Sequence, residues 1–201
     1  MRARARDFDG YGPGRALPDH SSSRSSGSVL AGVMNTYVAL LRAVNVGGTG
    51  TLPMAELRQM CESTGFINVR TYIASGNVVF SSASSAAEVQ ASLENLLAMY
   101  VGKAVGVVVL TRNEIANVMA ENPFADHAPN HTMAIFFDGP PPPSALDRVT
   151  GRQNENLALG ERVIYVHYGD GMGQSKLKIP AAAKGTARNM NTVAALVRLS
   201  G

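Results

Sequence analysis

Three polar segments carry residue types able to grip an anion. In the first, Arg42 is followed by Asn45 and by Gly47-Gly48. A guanidinium takes phosphate or carboxylate oxygens two at a time, and glycines let such a group approach backbone N–H donors. Pro53 marks a helix start soon afterwards, with the partial positive charge of a helix N-terminus. The second segment, Gly169 to Lys176, places glycines before Ser175 and Lys176, the parts of an anion cradle. It is not a P-loop, because Ser175 precedes Lys176 and the glycine spacing differs, and it also fails the dinucleotide fingerprint. The third is Arg188-Asn189-Met190-Asn191-Thr192. A helix N-cap accounts for one asparagine but not for Arg188 or the other polar groups. Ser75 and Asn77 raise the same question within a turn-like stretch. Each segment has a competing structural account in glycine-permitted turns, caps and an arginine paired with a glutamate.

Other chemistry is sparse. The histidines, His20, His127, His131 and His167, form no pair at metal-ligand spacing, and no metal site is expected. Cys61 is the single cysteine, so neither an intrachain disulfide nor a cysteine-clustered zinc site can form. Its helical-looking surroundings predict a buried, inert thiol. No nucleophile elbow or paired carboxylates emerge. Tyr72 and Phe80 lie on strand-like runs without interleaved basic residues, so the aromatic-plus-basic pattern of RNA-binding sheets is missing.

The net charge of +3 divides unevenly along the chain. Residues 1–33 hold five arginines and three aspartates, a balance of +2, which leaves 13 basic against 12 acidic residues for the rest. Overall basicity therefore gives no argument for nucleic acid. From Asp170 onward, Lys176, Lys178, Lys184, Arg188 and Arg198 face one acid. No window approaches the ~18 consecutive apolar residues of a membrane span, and a cytoplasmic protein without membrane contact is expected.

Positioning these segments requires a fold. Residues 1–33, rich in Arg, Gly, Ser and Pro, are expected to be a disordered N-terminal extension. Thr36 to Leu41 reads as a strand, and Met54, Leu57, Met60 and Cys61 share a helix face closed by Gly65. Val69–Ile73 and Val78–Phe80 flank a turn expected to use Gly76 and Asn77. Ser84 or Ser85 caps a helix carrying Val89, Leu93, Leu96 and Leu97, and Val105 to Leu110 is a buried strand. Strand, helix, hairpin, helix, strand is the split βαβ, or ferredoxin-like, order. Residues 111–201 repeat it loosely. Thr111 and Glu114 form a capping box, and a strand spans Thr132 to Phe137. Ser144 caps a helix to about Thr150, and a hairpin joins Asn156–Leu159 to Val163–Tyr168. Helices follow over Ser175–Lys184 and Asn191–Leu199. The expectation is an α+β protein of two ferredoxin-like halves, 34–110 and 111–201, with antiparallel sheets covered by helices. Leu41, Leu57, Leu93, Val108 and Phe136 should lie in its core.

Three stretches carry a family resemblance: Leu40-Leu41-Arg42-Ala43-Val44-Asn45-Val46-Gly47-Gly48; Arg70-Thr71-Tyr72-Ile73-Ala74-Ser75-Gly76-Asn77-Val78-Val79-Phe80; and Gly171-Met172-Gly173-Gln174-Ser175-Lys176-Leu177 with Ala187-Arg188-Asn189-Met190-Asn191-Thr192. Together they resemble the bacterial domain of unknown function family 1697. Ala43 and Val44 depart from its usual Gly-Ile, and Met190 stands where it usually has tryptophan. The resemblance implies an intracellular α/β protein with ferredoxin-like halves, and it implies no activity.

The leading expectation is a protein that binds an anionic, phosphorylated small molecule in a cleft between its halves, with nucleic acid less well supported. The candidate ligand-binding residues are Arg42, Asn45, Gly47, Gly48, Ser75, Asn77, Ser175, Lys176, Arg188, Asn189 and Asn191. The alternatives are an enzyme acting on a phosphorylated or acyl substrate, or a structural or protein-interaction domain. The sequence names no cofactor and no catalytic residue.

Overall fold

The computed structural model describes residues 33–44 and 52–201. The expected N-terminal extension, Val33 apart, and Asn45, Gly47 and Gly48 lie outside the described residues. Among those described, no helix is long and apolar enough to cross a membrane.

Tyr37 to Leu41 are buried without a break because strand β1 (Asn35–Leu41) lies at the centre of a sheet covered on both faces. Helix α1 (Met54–Ser63) and strand β2 (Ile67–Tyr72) follow, then β3 (Asn77–Ser82), α2 (Ala86–Val101) and β4 (Val107–Thr111). The sheet order is β2-β3-β1-β4, antiparallel throughout. Odd-numbered residues of β1 pack with Leu57, Cys61 and Leu93 of α1 and α2. Even-numbered ones, Val38 and Leu40, point to the other face.

Helix α3 (Arg112–Ala120) links to β5 (Thr132–Phe136), followed by the hairpin β6 (Asn156–Leu159) and β7 (Val163–His167), β8 (Thr186–Asn189) and α4 (Met190–Leu199). The order β6-β7-β5-β8 repeats the first sheet's pattern. Ile115 and Val118 of α3 and Val193 and Leu196 of α4 lie in one core between the two sheets, with Val108 above and Phe136 below. These are two ferredoxin-like halves in an α+β fold, and all five expected core residues are buried.

Several local readings need correcting. The expected helix from Ser175 to Lys184 is absent: residues 175–179 are not helical, only Pro180–Lys184 forms a 3₁₀ turn, and a second such turn, Met172–Gln174, precedes the stretch. Pro180 forbids a continuous helix, holding Ile179 extended at φ −113° and ψ 99°, and Lys178 pairs with Thr150 in a β-bridge. The helix expected after Ser144 is a single 3₁₀ turn, Pro143–Leu146. The outer face of the second sheet is therefore covered by these turns, with Ala145 in its core. Strand β8 has no counterpart in the sequence reading, because its four residues, Thr-Ala-Arg-Asn, lack an apolar alternation. Helix α4 starts one residue early, capped by Asn189 Oδ1, which accepts from the Thr192 N–H at 2.9 Å. Asn77 opens β3 instead of sitting in the turn, where Ile73 and Gly76 take positive φ.

Candidate functional site

Two of the polar segments, Ser75 with Asn77 and the one that begins at Arg188, meet at one buried arginine beside the strand end that leads into Arg42. Arg188 lies on β8 opposite Ala134, facing inward, and is 7% exposed. Its Nε donates to Asn77 Oδ1 at 2.5 Å, and its Nη1 donates to Thr186 Oγ1 and the Ala187 carbonyl. Its Nη2 reaches the carbonyls of Leu41, Ser75 and Gly76, at 3.0, 2.9 and 3.3 Å. Every N–H of the guanidinium is thus engaged by a neutral acceptor. Burial pushes its pKa down to about 10, so it is still a cation at neutral pH. Among the described residues no carboxylate pairs with it.

The acceptors are fixed in turn. Asn77 is fully buried, and its Nδ2 donates to the Tyr72 carbonyl and to Ser75 Oγ. Gly76, at φ +75°, lets its carbonyl accept from the Leu41 N–H at 2.8 Å; a Cβ there would stand 2.9 Å from Leu41 Cβ. Thr186 Oγ1 adds a bond to the Leu41 carbonyl. Arg188 therefore ties the second half to the end of β1 and to the β2–β3 turn. Arg162, which the sequence reading passed over, makes a similar tie. Its Nη1 pairs with Glu114 at 2.6 Å, and its other nitrogens donate to the carbonyls of Phe137 and Val109.

Arg42 follows the strand end that Arg188 holds. Its N–H donates to the Gly106 carbonyl, and its Nη2 crosses to the Ala183 carbonyl at 2.8 Å. Gly106 leaves room for it, since a Cβ there would lie 2.9 Å from Arg42 Cδ. Ala183 borders a cavity of 460 Å³ between prolines 140–142 and the Pro180–Lys184 turn, with Phe137, Asp138 and Lys184 also in its wall. The Asp138 carboxyl is pushed up by partial burial and by Glu94, against the opposing pull of Arg42 and Arg162.

The remaining candidates lie in other surroundings. Ser175 Oγ donates to Glu155, whose carboxyl is held below its ordinary range by the Gln153 N–H and by that hydroxyl. Lys176 is exposed, with its carbonyl packed against Gly151. Asn191 is exposed in the first turn of α4, and Asn189 is its cap. Among the described residues no group of three or more His, Cys, Asp or Glu side chains is arranged to hold a metal. Cys61 is buried, and its thiol is pushed up to about 12 by that burial and by Glu62, which makes it inert.

The profile of a family described as proteins of unknown function, DUF1697, matches residues 34–165, about two thirds of the chain. The chain belongs to this family. The match spans the strand end and the β2–β3 turn that Arg188 grips, while Arg188 itself lies beyond it. The structure is similar to that of a conserved bacterial protein, SP0830 from Streptococcus pneumoniae, with a TM-score of 0.71, 24% identity, and coverage of 84% of this chain and 99% of that one. At that identity the likeness concerns the fold alone. A comparison with curated proteins finds no match.

Proposed function

We propose that this DUF1697 chain binds a phosphorylated small molecule at the seam of its halves, with Arg42 and Lys184 as the contacting cations. The observation that carries the reading is the placement of Arg42. Its guanidinium is pinned by the Ala183 carbonyl at the wall of a ligand-sized cavity. Among the described residues, no carboxylate lies within ion-pair distance of it. Arg188 acts behind this site: its hydrogen bonds are spent on protein, and its charge adds to the local positive potential. Ser75 and Asn77 share that supporting part, whereas Ser175, Lys176 and Asn191 are left out of the contacting set. A cytoplasmic setting belongs to the same reading, since the one cysteine is buried and unpaired.

Thermal shift with inorganic phosphate, sugar phosphates, nucleotides and oligonucleotides tests it. Phosphorylated small molecules are expected to raise the Tm, and the effect should shrink with added salt over a Debye length of ~8 Å at physiological ionic strength. Stabilisation by oligonucleotides alone would replace this reading with a nucleic-acid one. No shift with any phosphorylated compound at millimolar concentration would end it.

A further inference from the structure

The anion reading leaves most of the cavity unused, since a phosphate at Arg42 and Lys184 occupies one side of it. The rest is apolar and stiff. Prolines 140–142, Pro180, Ala181 and Phe137 line it. Proline fixes φ, so these walls are preformed and lose little freedom when a ligand enters. The volume, 460 Å³, lies in the ~300–1,000 Å³ range of small-molecule sites and far exceeds what a bare phosphate fills. Among the described residues, Asp138 is the one acidic group in the wall. A carboxylate accepts hydrogen bonds, so it suits an N–H-bearing part of the ligand.

Resting on the anion reading, we propose that the cavity takes a phosphorylated compound with a flat, apolar ring bearing N–H donors. A nucleoside monophosphate has that chemistry. Its phosphate lies between Arg42 and Lys184, its base packs against the proline walls, and its exocyclic amine donates to Asp138. Sugar phosphates lack the flat apolar part, and most of their hydroxyls would lose water against the proline rings.

Calorimetric titration of the full chain with inorganic phosphate, glucose 6-phosphate and adenosine monophosphate decides this. The nucleotide is expected to bind at least roughly tenfold tighter than either of the others. Ala181→Trp, which fills the cavity, should bring the nucleotide down to the affinity of inorganic phosphate and leave phosphate binding unchanged. Asp138→Asn preserves the volume and should narrow the nucleotide's advantage even if the tryptophan variant does not fold. Equal affinity of the three compounds, or a nucleotide affinity that both variants leave intact, overturns the proposal while phosphate binding persists. Loss of all binding, phosphate included, would instead count against the underlying anion reading.

Discussion

A buried guanidinium held only by neutral groups is costly to disturb, because its partners are as desolvated as it is. Removing the side chain of Arg188 strands Asn77 Oδ1 and the Leu41 and Ser75 carbonyls in the interior. Arg188→Ala is expected to cost about 3–5 kcal/mol, with Arg188→Lys recovering only part, since an ammonium has three donors without the planar fork. Urea denaturation giving a loss below about 1 kcal/mol would refute the strut role. Sequence reasoning singled out Arg188 because a helix cap did not explain it, and Ser75 and Asn77 against turn chemistry as the strong competing account; the three prove to be one hydrogen-bonded group. It could not tell a buried strut from a ligand contact, since that difference lies in a tertiary contact 111 residues apart in sequence. A second residue-scale effect concerns His167. It is buried, stacks on His127 at 4.2 Å and meets Thr132 Oγ1 through Nδ1 at 3.1 Å. Burial, then His127 and His131, hold its pKa below the ordinary 6.5. The unfolded chain therefore binds a proton more readily than the folded one, and stability is lost as pH falls through 6.5 toward the lower folded value. Tm measured from pH 7.5 to 5 should decline, and His167→Phe should flatten the decline; an unchanged slope in that variant would assign it to other groups.

At the scale of elements, local chemistry was most legible where a helix announces its own start. Thr111 and Glu114 form the expected capping box, Thr111 Oγ1 accepting from the Glu114 N–H at 3.2 Å and Glu114 Oε2 accepting from the Thr111 N–H at 2.7 Å. Thr111→Ala should destabilise by about 1 kcal/mol, read from the urea midpoint, and a neutral result would mean that packing alone holds α3. Legibility failed where proline overrode a helix-like composition. Leu177, Ile179, Ala181 and Ala182 look helical in spacing, yet all pack against the second sheet from extended and 3₁₀ backbone. Pro180 was the available signal. Strand β8 was hidden for a different reason: it is short, and its inward residues, Thr186 and Arg188, are polar because they bind across the seam.

Across the whole molecule, the doubling of the ferredoxin-like unit explains why apolar runs of the first half are continuous. One face of its sheet meets α1 and α2, and the other meets α3, α4 and, beyond them, the second sheet. Leu93, 1% exposed, sits in the first of these cores, and Leu93→Ala should cost about 2–5 kcal/mol in urea denaturation. A cost below about 1 kcal/mol would contradict that packing. The same doubling brings Arg42, from one half, to the carbonyl of Ala183, which borders a cavity built by the other. The claim that this junction binds an anion is tested most directly by calorimetric titration of inorganic phosphate into wild type, Arg42→Ala and the exposed control Lys103→Ala. A charge-assisted hydrogen bond to an anion is worth about 1.5–3 kcal/mol, so Arg42→Ala should weaken phosphate binding by roughly tenfold or more, with Lys103→Ala matching wild type. Equal affinities in all three proteins, or no binding to wild type at millimolar phosphate, would contradict the account.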